Sequence, residues 1–241
     1  MFLNRPERIQ IAKDREIYVF KKYIPDEMIV RYTELFESHP AETYTEDTNA
    51  IDWYNDHMSP YMLELIDLWE HVSELIYPDY VINPQAQVIA SRPGQSGMFI
   101  HCDSPGKGRA DMLTQADSFG TCSLIDYGLV AYFGEFEGGE IFYPAFNEDG
   151  SERPDSEREN PIGALKYKPE PGDVVIHSAY APYYHGTMPV TSGVRYAYSC
   201  FATETAIAPK TFYHYKTPEY YDKVSDRSEQ SLKNWYQPIE I

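Results

Sequence analysis

Hydrophobic positions in the first 83 residues recur at helical spacing. After Pro25, the acidic pair Asp26-Glu27 begins a stretch whose apolar positions form one stripe, which predicts a helix with a favourable negative first turn. A second helix is predicted from Ser59-Pro60, an N-cap followed by proline, to the residue before Pro78. Residues 16–20 read as a short strand. The stripe of the first predicted helix comprises Met28, Ile29, Tyr32, Leu35 and Phe36.

From about residue 84 the pattern changes to short apolar or alternating runs, separated by Pro, Gly and Asp. Many short strands with tight breaks are typical of an antiparallel sandwich or barrel. We therefore divide the chain into a supporting region (1–83), a β core (84–204) and an extension (205–241) packed on the core, with a helix at about 218–236. The predicted strands lie near 85–91, 97–103, 121–126, 128–133, 139–143, 164–168, 173–178, 184–190 and 194–201.

Composition narrows the class of protein. The 241 residues carry a formal net charge of −18, and this acidity disfavours nucleic acid, which needs a basic face. Apolar runs are too short for a membrane span, and the N-terminus lacks the apolar region of a signal peptide. Three widely spaced cysteines without a C-x-x-C fit a reducing compartment. We expect a cytoplasmic protein with neither nucleic acid nor membrane as partner.

One H-x-D sequence is present, His101-Cys102-Asp103. In a strand, residues i and i+2 project to the same face, so this imidazole and carboxylate could bind one metal ion. The motif is weak alone, since it arises by chance in roughly a third of chains of this composition. The competing interpretation is a surface histidine beside a solvated aspartate.

A second piece of chemistry lies at 185–195. Thr191-Ser192-Gly193 predicts a hairpin turn, and antiparallel pairing across it would put Arg195 on the same face as His185. Their predicted offset of four residues is roughly 13 Å of strand. A guanidinium and a five-carbon dicarboxylate placed end to end would cover that distance. A one-residue slip of the hairpin would turn Arg195 to the opposite face.

His101, Asp103 and His185 together form a set of two histidines and one carboxylate. Three ligands on one side of an octahedral metal leave three positions open, which suits non-haem Fe(II) better than a closed structural zinc site. Two open positions could take a 2-oxo acid and the third O2. Alone, His185 would read as a packed strand-end histidine, and Arg195 as a surface cation.

With these residues, the chain resembles the Fe(II)/2-oxoglutarate-dependent dioxygenases, and specifically the prolyl 4-hydroxylase-like branch. The similar segments are His101-Cys-Asp103, the stretch from Tyr132 to Pro144, Lys168-Pro-Glu-Pro-Gly-Asp173 and the block from His185 to Arg195. The resemblance implies a mainly β fold, a double-stranded β-helix (jelly-roll) core with N-terminal helices packed on its sheet.

The resemblance also implies roles for individual residues. His101, Asp103 and His185 would be the catalytic iron ligands, Arg195 would bind the distal carboxylate of 2-oxoglutarate, and Tyr132 would donate a hydrogen bond to that carboxylate. L-ascorbate would serve as reductant. His177 stands where the family usually has an aromatic residue, and we expect it to be a packed histidine rather than a fourth ligand.

The lead functional hypothesis is hydroxylation of a prolyl residue in a peptide or protein. The alternatives are hydroxylation of a free amino acid or other small metabolite by the same chemistry, and a cupin-like module that binds a metal without turnover. A nucleic-acid demethylase is disfavoured by the charge of the chain.

Overall fold

The computed structural model describes residues 5–12, 15–38, 42–45, 48–51, 59–76, 79–103, 126–144, 165–179 and 183–204. Within them the chain forms thirteen strands and two helices, so the fold is mainly β. The elements are β1 (Glu7–Ala12), β2 (Arg15–Phe20), α1 (Asp26–Ser38), β3 (Glu42–Thr45), β4 (Thr48–Ile51), α2 (Ser59–Ile76), β5 (Tyr80–Ser91), β6 (Tyr127–Phe133), β7 (Phe136–Gly138), β8 (Ile141–Tyr143), β9 (Leu165–Tyr167), β10 (Val174–Ser178), β11 (Gly186–Thr187), β12 (Val190–Gly193) and β13 (Arg195–Glu204).

The strands form one large sheet and two small ones, with antiparallel pairing throughout. The large sheet has eight strands in the order β1-β2-β10-β6-β13-β5-β4-β3. A three-stranded sheet has the order β11-β8-β9, and β12 pairs with β7. Strand neighbours are distant in sequence, as β10 pairs with both β2 and β6. This long-range pairing is what brings distant side chains to one site.

The large sheet buries both of its faces, because successive side chains in a strand point to opposite sides. One face, which we call the helix face, packs against both helices and includes Phe20, Leu129, Ala131, Ile176 and Tyr198. The opposite face, which we call the inner face, packs against β8 and β9 and includes Val19, Tyr132, Val175 and Ala197. The core is therefore two apolar layers separated by the sheet.

Aromatic rings dominate the helix face. Phe36 of α1 contacts the rings of Phe133 and Tyr196, with centroids 5.4 and 5.5 Å apart. Trp69 of α2 stacks on Tyr198 at 5.9 Å and 5° between planes. Each such pair adds to the hydrophobic stabilisation from burial. These contacts fix the back of β6 and β13, whose other faces point inward.

Most predicted elements are present, with shifted ends. β2, α1 and α2 start within one residue of their predicted positions, and β6, β8, β9, β10 and β13 overlap the predicted strands. The predicted boundary at 83/84 falls inside β5, and β1 and β2 belong to the same sheet as the core strands. The loop 147–160, the extension 205–241 and nearly all of the strand 121–126 lie outside the described residues.

No helix within the described part of the chain is long and apolar enough to span a membrane.

Two local predictions are wrong. Residues 97–103 form no strand, although His101 makes an isolated bridge to His185. Residues 188–196 form no hairpin: β12 pairs with β7, while β13 pairs with β5 and β6. Gly193 permits a close approach, since a Cβ on it would lie 2.0 Å from the carbonyl oxygen of Glu135. A long-range partner thus replaces the local turn.

Candidate metal and dicarboxylate site

The backbone brings His101 and His185 together. The amide of each residue donates to the carbonyl of the other at 2.9 Å, which forms a narrow antiparallel pair. The two imidazole centroids are 4.6 Å apart. Asp103 follows two residues after His101, so its carboxylate reaches the same place without needing a regular strand.

Three donor atoms converge at this point. Asp103 Oδ1 lies 3.5 Å from His101 Nε2 and 3.7 Å from His185 Nε2. Among the described His, Cys, Asp and Glu residues, these are the three whose ligand atoms all lie within 4.8 Å of one another. Two ligands bound at about 2.1 Å and at right angles to one another are about 3 Å apart, so a small contraction would place all three on one ion.

Both histidines present the correct nitrogen. His101 Nδ1 lies 2.8 Å from the carbonyl oxygen of Phe99, and His185 Nδ1 lies 3.2 Å from that of Tyr183. A carbonyl only accepts hydrogen bonds, so each Nδ1 carries the proton and each Nε2 keeps its lone pair toward Asp103. This outer hydrogen bond is the arrangement that orients metal-ligating histidines in proteins.

The electrostatics fit a cation site. Burial opposes ionisation of Asp103, but His185, His101 and His177 outweigh it and hold the pKa of this carboxyl well below its usual range. Burial lowers the pKa of His185 to about 3, which keeps that imidazole neutral. Burial alone would lower the pKa of His101. The hydrogen bond to Asp103 and the negative charge of Asp103 outweigh burial and raise this pKa. An ionised carboxylate and neutral imidazoles are the forms that bind metals, so a bound cation would replace the proton that Asp103 favours on His101.

Arg195 is buried on the same side of the sheet, with 2% of its surface exposed. Its guanidinium donates to the Gly139 carbonyl at 2.6 Å, the Ser91 hydroxyl at 3.0 Å and the Thr187 hydroxyl at 3.4 Å. Among the residues that the structure describes, its Nε has no hydrogen-bond partner and no carboxylate forms an ion pair with it. A buried cation with only neutral partners is costly unless an anion binds beside it.

Tyr132 and Gly139 complete the surroundings of Arg195. Tyr132 pairs with Ala197 across β6 and β13, so it shares the inner face with Arg195. Burial raises the pKa of Tyr132 to about 12 against the effect of Arg195, so its hydroxyl stays protonated. Gly139 leaves room for the guanidinium, since a Cβ there would lie 3.2 Å from Arg195 Cδ.

The donor set and the cationic pocket are connected by one short segment. His185 belongs to the donor set, and Thr187, two residues later, contacts Arg195. Two residues of extended chain span about 7 Å. Thr187 is itself fixed, because its hydroxyl also accepts from the Met98 amide at 2.8 Å. An open metal site and an anion pocket at this separation suit a small dicarboxylate that also chelates the metal.

The donor chemistry fits Fe(II). Two neutral imidazoles and one carboxylate on one side of an ion leave positions open for other ligands, as in non-haem Fe(II) oxygenases. The structure brings together the ligand atoms of His101, Asp103 and His185, as expected from the sequence. It also buries Arg195 and Tyr132 on the inner face of the sheet. The roles assigned to these residues stay predictions.

Four further side chains at the site were missed as site residues. Ser91 and Thr187 contact Arg195, while His177 contacts Asp103 and Tyr143 contacts His177. Ser91 could have been identified as a site residue from its position in the sequence, at the end of the predicted strand that precedes the H-x-D sequence. For His177, the signal was a histidine within an apolar strand, where a packing role was expected.

Among the comparisons with known proteins, only the one with solved structures finds proteins of similar fold. No protein-family model matches the chain, and neither does any curated protein sequence. Among solved structures, HygX from Streptomyces hygroscopicus, with nickel and 2-oxoglutarate bound, matches at a TM-score of 0.57 and 13% identity over 80% of this chain and 84% of that one.

Two other oxygenase structures are similar. The non-heme alpha-ketoglutarate-dependent carbocyclase SnoK from nogalamycin biosynthesis matches at a TM-score of 0.54 and 13% identity, over 80% of this chain and 81% of that one. An oxidoreductase of the 2OG-Fe(II) oxygenase family from Burkholderia pseudomallei matches at 0.51 and 15% identity, over 78% and 84%. The chain therefore has the jelly-roll fold of these oxygenases, as the sequence predicted.

Proposed function

We propose that this protein is an Fe(II)- and 2-oxoglutarate-dependent oxygenase that hydroxylates a C–H bond. The observation that carries the proposal is the convergence of His101, Asp103 and His185 beside a buried Arg195 that lacks an ionic partner among the described residues. The oxygenase structures of the same fold agree with it.

The chain's own residues would do the binding and orienting. His101, Asp103 and His185 hold the metal through Nε2, Oδ1 and Nε2, and Arg195 pairs with the distal carboxylate of 2-oxoglutarate while Tyr132 donates to it. Such charge-assisted pairs fix position as well as charge. When bound, Fe(II) and 2-oxoglutarate supply the oxidative chemistry: O2 is consumed, 2-oxoglutarate becomes succinate and CO2, and one oxygen atom enters the substrate.

The test is formation of succinate from 2-oxoglutarate by metal-stripped protein given Fe(II), O2 and L-ascorbate. We expect turnover by the parent and loss of at least about 100-fold in Asp103→Ala, which removes a ligand. Omitting L-ascorbate tests whether this reductant sustains turnover. Turnover at the parent rate in Asp103→Ala would refute the ligand assignment. Metal binding without any succinate would instead support the cupin-like binding module.

The primary substrate has two candidates. The sequence motifs of the prolyl 4-hydroxylase-like branch favour a prolyl residue in a peptide or protein. Two of the similar oxygenase structures favour a small metabolite, because HygX has also been solved with hygromycin B bound and SnoK belongs to nogalamycin biosynthesis. A screen for a gain of one oxygen atom, with proline peptides in one arm and free amino acids and other small metabolites in the other, separates them.

The cysteine pattern supports a cytoplasmic location.

A further inference from the structure

His177 contacts the Asp103 carboxylate. It is almost fully buried on β10, and its Nε2 lies 3.3 Å from Asp103 Oδ2. The oxygen that faces His101 and His185 is the other one, Oδ1. His177 therefore contacts the carboxylate oxygen that does not face the other two histidines, and it is not a member of the three-residue donor set.

A second hydrogen bond occupies the other ring nitrogen of His177. Its Nδ1 lies 2.9 Å from the buried hydroxyl of Tyr143 on β8. A metal-ligating carboxylate is deprotonated and only accepts, so His177 Nε2 must donate to Asp103. In a neutral imidazole Nδ1 then accepts from Tyr143, and each polar atom in this chain of three side chains has a partner of the right kind.

The neighbouring strand leaves space for this contact. Gly128 on β6 pairs directly with His177 on β10. A Cβ at position 128 would lie 2.7 Å from Asp103 Oδ2 and 2.9 Å from His177 Nε2. Any side chain there would collide with both partners, so the fold has a built place for the Asp103–His177 pair.

We propose that His177 is a positioning residue for the metal ligand Asp103, with its ring oriented by the hydrogen bond between Nδ1 and Tyr143. This inference rests on the proposed function, because it gives Asp103 the role of ligand. The hydrogen bond to Oδ2 fixes rotation of the carboxylate, so that Oδ1 stays directed toward the ion. Outer partners of this kind contribute about 10- to 100-fold to metal affinity in other sites.

Two variants separate the hydrogen bond from ring packing, since the His177 ring also contacts His185 at 4.2 Å between centroids. His177→Phe keeps a ring and removes both hydrogen bonds. His177→Gln loses the ring but keeps an N–H for Asp103 and a carbonyl for Tyr143. Tyr143→Phe removes one hydroxyl and little volume, and it remains informative if a change at the buried position 177 prevents folding.

The measurement is the dissociation constant for Co(II), obtained from visible absorption during titration of the metal-stripped protein. We expect His177→Phe to weaken binding about 10- to 100-fold, His177→Gln to stay within a few-fold of the parent, and Tyr143→Phe to lie between them. Thermal unfolding of the metal-free forms checks that each variant folds.

The outcomes distinguish the two proposals. If the parent binds no Co(II), the proposed function fails and the positioning role fails with it. If the parent binds and His177→Phe and Tyr143→Phe bind equally well, only the positioning role is overturned. If His177→Gln is the weaker of the two position-177 variants, ring packing rather than the hydrogen bond is what matters, and the proposal is also overturned.

Discussion

Gly128→Ala is the smallest change that should damage the predicted metal site. The backbone of Gly128 is outside the left-handed region, so alanine fits the local conformation. The effect should come from space alone, because the added methyl group points at the contact between Asp103 and His177.

The size of the effect follows from the distances. Ordinary contact with a Cβ begins at about 3.4 Å, and the new atom would be 0.7 Å too close to Asp103 Oδ2 and 0.5 Å too close to His177 Nε2. Both groups must move apart, which breaks their hydrogen bond and rotates the carboxylate. Misplacement of this order costs up to about 100-fold in rate, and loss of an outer partner costs about 10- to 100-fold in metal affinity.

The assay is Co(II) titration together with succinate formation, and Gly94→Ala is the control. No atom lies within 4 Å of a Cβ at position 94, but its φ of +91° is strained for alanine. This control should lose roughly 1–2 kcal/mol of stability and bind Co(II) as the parent does. Gly128→Ala should also lose roughly 1–3 kcal/mol of stability through overpacking, but unlike the control it should bind Co(II) more weakly than the parent. Parent-like Co(II) affinity in a folded Gly128→Ala protein would show that the space beside Asp103 is unimportant.

Three other predictions address separate parts of the molecule. Arg195→Gln should raise the KM for 2-oxoglutarate about 30-fold or more, because truncating a buried charge pair costs about 2–5 kcal/mol. The Co(II) affinity of this variant should equal that of the parent. An unchanged KM would contradict the role of Arg195 as the anchor of the distal carboxylate. Co(II) at 100 times its dissociation constant should stabilise the fold by about 2.7 kcal/mol, and calorimetry should show a melting temperature roughly 5–11 °C higher. Asp103→Asn should abolish that shift, and its persistence would place the ion elsewhere. Trp69→Ala should lower the free energy of unfolding by about 3–5 kcal/mol in denaturant titrations, with Co(II) affinity of the folded protein unchanged; a loss under 1 kcal/mol would contradict the packing described for Tyr198 and Trp69.

The sequence identified the three candidate metal donors correctly as a group, but it predicted the wrong secondary structure around them. His101, Asp103 and His185 meet as expected, but through an isolated bridge rather than a regular strand. The pairing of two short segments is enough to align them. Residue chemistry and order along the chain therefore identified the set, even though the local secondary structure was wrong.

The hairpin failed because a local signal was outweighed by a distant partner. Residues 191–193 have turn chemistry, and a strand beginning at 136 lies far away in sequence. Gly193, with φ of +72°, serves a close backbone approach to Glu135. Arg195 nevertheless faces inward, for a different reason from the predicted hairpin: alternation along β13, maintained by its pairing with β5 and β6, puts it on the same face as Ala197.

The contacts of His177 could not be read from the sequence. Its partners lie 34 and 74 residues away, and its space depends on a glycine in a strand adjacent to it only in the folded sheet. A histidine in an apolar strand is usually packed, and this one is packed as well as hydrogen-bonded. A glycine in the facing strand is the signal that, with the sheet order known, would have pointed to it.

The two faces of the large sheet divide the consequences of mutation. In β13, Tyr196 and Tyr198 face the aromatic layer beneath the helices, whereas Arg195 and Ala197 face the proposed ligand. Substitutions at successive positions of β13 should therefore affect different properties: the stability of the fold at one position and the proposed binding site at the next. A mutagenesis library restricted to the inward-facing positions of β13 would vary the surroundings of Arg195 while leaving the aromatic layer beneath the helices unchanged.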